Sequence, residues 1–208
     1  MAAYGPDGLP DPHAWPGSDV LRNKWGIRDG VDLAALELSA TRFRIDQLRG
    51  RPVKGRFDLK HLQAIHRHIF QDVYEWAGEL RMGALSRGGN LFAQPDHIVS
   101  SADRIFRALA AERHLKGLTA EEFPDRLAHH FAEINAIHPF REGNGRALQT
   151  FLEQLAGEAG YGVNFSKVKR EEWNAAAKES FSGSPERMRV IFQRILSRKS
   201  PRMKSRGI

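Results

Sequence analysis

Nine consecutive residues, His138-Pro139-Phe140-Arg141-Glu142-Gly143-Asn144-Gly145-Arg146, have types and spacing that could do chemistry. Pro139 biases its predecessor out of the helical region, so a helix arriving through Phe123, Leu127, Phe131 and Ile134 is expected to stop at His138. An imidazole at a helix end is a defined place for a base. Glycines at 143 and 145 allow close backbone approach to a bound group and positive φ. A second helix from about Asn144 (Leu148, Phe151, Leu152, Leu155) would face its free N–H groups and positive dipole end into the loop. That is an anion cradle, suited to phosphates, and Arg146 adds a forked donor for phosphate oxygens. Glu142 beside an anion site is unfavourable unless a cation bridges them; Mg²⁺, held by one carboxylate plus substrate phosphates, is the usual solution. A plain Gly-Asn turn between two helices would explain the glycines only.

The elements around this loop read as mostly helical. Residues 31–48 form a helix with Leu33, Leu36, Ala40, Phe43 and Leu48 roughly on one face, broken by Gly50 to Gly55. Asp58 is an N-cap for a helix of about 60–76, carrying Leu62, Ile65, Ile69, Val73 and Trp76 and ending at Gly78 as C′. His61, His66 and His68 do not share one face of it and are read as surface or packing residues, like His129 and His130 further on. The helical period is lost from Arg81 to Asp96, and the turn signal Ser86-Arg87-Gly88-Gly89-Asn90 predicts a β-hairpin there. Pro95-Asp96 starts a helix to about Leu115, and Thr119 with Glu122 forms a capping box opening the helix into the motif. Asn135, one turn before His138, either bonds the loop or serves the helix end. Further helices are expected over 170–181 and after Ser184-Pro185.

With 208 residues, 41% hydrophobic and 27% charged, the chain is expected to form one domain with a real core. It has no cysteine, hence no disulfide framework, thiolate nucleophile or Cys-based zinc site. No apolar run of about eighteen residues and no basic-then-apolar N-terminus is present, which predicts a cytoplasmic protein or one exported by another route, and no membrane partner. The net charge is +7, but residues 187–208 carry eight positive charges and no acid, so the preceding body is nearly neutral. That tail reads first as a solvated end or linker, with nucleic-acid contact ranked last. The division expected is a Gly/Pro/Asp-rich lead-in over 1–18, a domain over 19–197 and a basic tail over 198–208.

The nine-residue stretch resembles the core motif of the Fic (filamentation induced by cAMP) family, HxFx(D/E)GNGRxxR, and the similarity covers roughly residues 15–197. Tyr74-Glu75-Trp76-Ala77-Gly78 resembles the (Y/F)xWAG stretch before that family's flap. The resemblance implies an all-α Fic fold, a helical bundle with a short β-hairpin flap near residues 81–96. It implies AMP transfer from ATP, with Mg²⁺, to a Ser, Thr or Tyr hydroxyl of a target protein. His138 would be the general base and Glu142 would hold the metal. Backbone N–H groups of 143–146 and the Asn144 side chain would stabilise charge on the α-phosphate, and Arg146 would hold the β side of the pyrophosphate. Phe140 would anchor the loop. The flap would add a strand to the target segment, with Leu91 and Phe92 covering the nucleotide or modified side chain, although Phe92 also reads as plain core. Asn174 resembles a position near the adenosine.

The chain departs from the pattern at Gln149, where the family has its second arginine, which holds the γ-phosphate. The family's inhibitory motif, (S/T)xxxE(G/N), is absent, which resembles the toxin class restrained by a separate small inhibitor protein. Such relatives modify type II topoisomerase subunits, which are candidate targets by resemblance alone. The expectation is therefore a protein adenylyltransferase acting as a bacterial toxin or translocated effector. The alternatives are a Fic-fold transferase using UMP, phosphocholine or phosphate, or a weakened enzyme that binds protein or nucleic acid.

Overall fold

A computed structural model of the chain describes residues 11–87, 90–181 and 183–199. Gly88 and Gly89 of the expected turn, residues 1–10 of the lead-in and 200–208 of the tail lie outside the described residues. The motif is carried between α4 (Glu122–Ile137) and α5 (Asn144–Glu158), the central pair of the bundle. The expected capping box opens α4: the Glu122 carboxylate accepts from the Thr119 backbone and hydroxyl, and the Glu122 N–H donates to Thr119 Oγ1. Phe123, Leu127, Phe131 and Ile134 bury the face of α4 that the spacing predicted.

Around this pair stand α1 (Gly30–Gly50), α2 (Leu59–Phe70), α3 (Ile98–Ala111), α6 (Arg170–Phe181) and α7 (Glu186–Ile195). α4 packs on α3, α5, α6 and α7, while α2 packs on α1, α3 and α5. Asp58 caps α2 as expected, accepting from the His61 N–H. No helix among the described residues is long and apolar enough to cross a membrane.

Several elements differ from the sequence reading. α2 stops at Phe70, not near Trp76. Val73 and Trp76 are still buried, but on a turn in which the Tyr74 and Trp76 rings stack at 4.2 Å and Lys24 N–H takes the Val73 carbonyl. Gly78 is left-handed, yet its N–H goes to a histidine side chain and caps no helix. α3 ends at Ala111, where Arg113, His114 and Leu115 turn left-handed. On α1 the buried line is Leu33, Thr41 and Leu48, whereas Leu36 and Phe43 are exposed.

The hairpin exists and is short: β1 (Ser86–Arg87) pairs antiparallel with β2 (Asn90–Leu91), in the register Ser86 to Leu91. A second two-stranded sheet was not anticipated: β3 (Tyr161–Val163) pairs with β4 (Leu196–Arg198). Three-residue strands carry too little periodicity to be read from sequence.

Candidate active site

Ile137 ends α4, and His138 follows as a left-handed cap at φ 46°, ψ 62°. Pro139 was expected to move His138 out of the helix; the chain meets that demand by entering the left-handed region, which costs a β-carbon residue energy. His138 Nδ1 lies 3.4 Å from the Asn135 carbonyl, and its ring stacks on Phe92 of the flap with centroids 3.9 Å apart. The tautomer that donates from Nδ1 to this carbonyl leaves Nε2 as the basic nitrogen. Asn135 thus serves His138 through its backbone, while its side chain ties α4 to the Ala177 carbonyl of α6.

The loop that follows is stapled from within. Asn144 is buried; its Oδ1 accepts from Phe140 N–H at 2.9 Å and its Nδ2 donates to the Phe140 carbonyl at 2.7 Å. Its side chain thus shapes the loop with one of its two N–H donors, a role the sequence reading did not give it. Phe140 is fully buried, as an anchor should be, and stacks on His66 at 3.9 Å. Gly143 has φ +79°, and a Cβ there would fall 2.1 Å from the Phe70 ring, so both backbone and space demand glycine. Gly145 needs no positive φ, contrary to expectation; it is exposed, with nothing within 4 Å of where a Cβ would sit. The first helical bond of α5 is Ala147 N–H to Gly143 O, leaving the N–H groups of Asn144, Gly145 and Arg146 without an intrahelical partner at the positive end of the dipole.

His66 supports this loop from below. Its Nδ1 accepts from Gly78 N–H at 2.9 Å, so Nε2 carries the proton and donates to the Glu142 carbonyl at 2.9 Å. Burial pushes its pKa down to about 4, keeping the ring neutral as both bonds require. Arg141 is held by Asp11. Burial alone would raise that carboxyl, but bonds from His13 and Arg141 hold it well below the usual carboxylate range.

Glu142 uses Oε1 twice, accepting Gly143 N–H at 2.8 Å and Arg146 Nη2 at 3.3 Å. Arg146 points chiefly the other way. Its Nη2 donates to Glu37 Oε1 at 2.6 Å and its Nη1 to Thr41 Oγ1 at 3.2 Å, with the guanidinium 4.7 Å over the Phe70 ring. The Tyr74 hydroxyl also donates to Glu37, and burial, then that carboxylate, pushes the phenol pKa up. Gln149 lies half-buried on α5, three residues beyond Arg146.

A cavity of about 200 Å³ is lined by Leu85, Ser86 and Phe92 from the flap and by His138, Arg141, Glu142, Gly143, Asn144 and Gly145 from the loop. The structure thus joins His138, Glu142, Gly143, Asn144, Gly145 and Phe92. Its lining omits Arg146, Gln149, Leu91 and Asn174; Leu91 is half-exposed on the hairpin and Asn174 is exposed on α6. A larger groove of about 1340 Å³ lies against the 52–57 loop and the far end of α5, and shares none of the motif residues. Three residues escaped the sequence reading: Glu37, His66 and Arg81. Glu37 broke the apolar face assigned to α1, and Arg81 closely follows the Trp76-Ala77-Gly78 stretch, but neither signal names a partner.

Comparison with known proteins agrees with this geometry. The model of the Fic/DOC family matches residues 56–156. Over 189 residues the chain is 37% identical to the "Probable protein adenylyltransferase Fic" of Escherichia coli (strain K12), covering 90% of this chain and 92% of that protein. It is 40% identical over 191 residues to the protein adenylyltransferase VbhT of Bartonella schoenbuchensis, covering 92% of this chain but spanning only 40% of VbhT. The crystal structure of BepC, a VirB-translocated effector of Bartonella tribocorum, with bound AMPPNP superposes at a TM-score of 0.86, with 29% identity over 90% of this chain and 97% of that one. A relative matched across nine-tenths of both chains, over the helices that close the motif loop, settles the family: this protein belongs to the Fic/DOC family.

Proposed function

We propose that this chain transfers AMP from ATP to a Ser, Thr or Tyr hydroxyl of a target protein. The observation that carries the reading is the shared cavity: a ring nitrogen able to accept a proton, a helix N-terminus presenting backbone N–H groups, and a flap meet around one space. His138 Nε2 takes the hydroxyl proton as the target oxygen bonds the α-phosphorus and the bond to the β-phosphate oxygen breaks, so pyrophosphate leaves. The N–H groups of Asn144, Gly145 and Arg146 bind the phosphate oxygens as charge grows, and open space at Gly145 admits them.

Mg²⁺ fits Glu142, because both bonds to that carboxylate use Oε1 and leave Oε2 for a cation. Bound there with the phosphates, it would offset their charge. β2 and the flap edge offer main-chain pairing to an extended target segment, which gives affinity without demanding a sequence. Type II topoisomerase subunits are the first targets to try, and a separate small inhibitor protein is the partner expected to restrain the enzyme.

The test is transfer with Mg²⁺ and bacterial lysate, using α- and γ-labelled ATP in parallel, each with a His138→Ala control. Label from the α position alone, reduced at least about a hundredfold in the variant, is the expected result. Label from γ alone would mean phosphate transfer, and label persisting in His138→Ala would remove the base from the mechanism.

A further inference from the structure

Arg81 enters the flap as a buried residue, only 3% exposed. Its guanidinium meets carbonyl oxygens of two separate segments. Nε donates to His138 O at 2.8 Å and Nη2 to Ile137 O at 3.2 Å, both at the C-terminal end of α4. Nη1 donates to Gly83 O at 2.8 Å and Nη2 also to Ala93 O, at the two ends of the flap. The Arg81 backbone N–H donates to Pro139 O at 2.9 Å, and Ala93 N–H to Ala136 O at 3.3 Å. No carboxylate pairs with Arg81 among the described residues, and burial pulls its pKa down.

A buried charge without a counter-ion is expensive. What offsets the cost here is the negative end of α4 and the fork's geometry, which a lysine ammonium cannot reproduce. The carbonyls it gathers flank the strained His138 turn on one side and the flap that stacks Phe92 on His138 on the other.

We propose that Arg81 is a positioning residue that locks the flap to the catalytic loop, so that the surface presenting the target and His138 hold one relative geometry. This rests on the transfer reading above only for its kinetic arm. Amide exchange decides it separately, through Phe92 N–H, bonded inside the flap to Leu85 O, and Phe140 N–H, bonded inside the loop to Asn144. In full-length Arg81→Lys both amides should exchange at least about tenfold faster, while those of α5 beyond Ala147 keep their protection.

In the kinetic arm, kcat should fall about a hundredfold, as for a misplaced base, and KM for the protein target should rise, with the affinity for a non-hydrolysable ATP analogue held within about twofold. A purely structural arginine would instead lower protection everywhere and change all three kinetic quantities only through the folded fraction. Faster exchange at one segment alone, or at neither, overturns the proposal. Should the variant not fold, wild-type exchange at low denaturant decides: Phe92 and Phe140 must open with one free energy, and separate opening overturns the lock. A wild-type chain that transfers nothing defeats the transfer reading and leaves the exchange result to judge Arg81.

Discussion

Gln149 is the residue at which this chain departs from the family pattern. It stands three residues past Arg146 on α5, hence on the same side of the helix. If the resemblance holds and this position faces the third phosphate, a neutral amide there would forgo a charge-assisted contact worth roughly 1.5–3 kcal/mol, about tenfold to a hundredfold in affinity. Gln149→Arg is expected to tighten ATP binding by that factor, read by calorimetric titration, with ADP affected less than ATP. Equal gains for both nucleotides would place the side chain away from the third phosphate. Beside it, Arg146 already answers to Glu37 and Glu142, so a phosphate bound as proposed would compete with two carboxylates for that guanidinium.

At the scale of elements, α1 supplies the partners that hold Arg146 at the start of α5. Its inward line substitutes Glu37 and Thr41 for apolar residues because Arg146 needs counter-charge and an acceptor at that depth. Tyr74, from the turn after α2, closes the same cluster. Glu37→Gln removes the charge and keeps the shape. With the two side chains 26% and 12% exposed, the lower end of the charge-assisted range applies, about 1.5 kcal/mol. For a chain of this length that lowers Tm by about 3–6 °C, measurable by calorimetry. An unchanged Tm would show the pair to be energetically idle.

For the whole molecule, acid sensitivity follows from His66. Its folded pKa of about 4 lies below the ordinary histidine value of 6.5, so between those values the unfolded chain binds more protons than the folded one. Its contribution is therefore complete above pH 6.5 and is lost as pH falls toward 4, by on the order of 3 kcal/mol. His130, also buried and lowered, acts in the same sense. Urea midpoints across this window should fall steeply for the wild type and less steeply for His66→Gln. Parallel slopes would show that His66 is already protonated in the folded state.

The motif, the capping box at Thr119 and Glu122, the Asp58 cap and the inward face of α4 were legible because each is a local pattern, decided within a few residues by backbone preference and helical period. The nine residues by themselves put an imidazole, a carboxylate and a helix start in one loop, and their match to a known motif pointed to the family that the comparison then showed. What only the tertiary structure decided are the partners. Arg146 meets Glu37 across 109 residues, His66 meets Glu142 across 76, and Arg81 meets His138 across 57. The sequence shows what each of these groups can do, but no local period records which distant partner offsets its desolvation. The early end of α2 has the same cause, since stacking of Tyr74 on Trp76 and the bond from Gly78 to His66 outweigh a helical pattern that continues in the sequence.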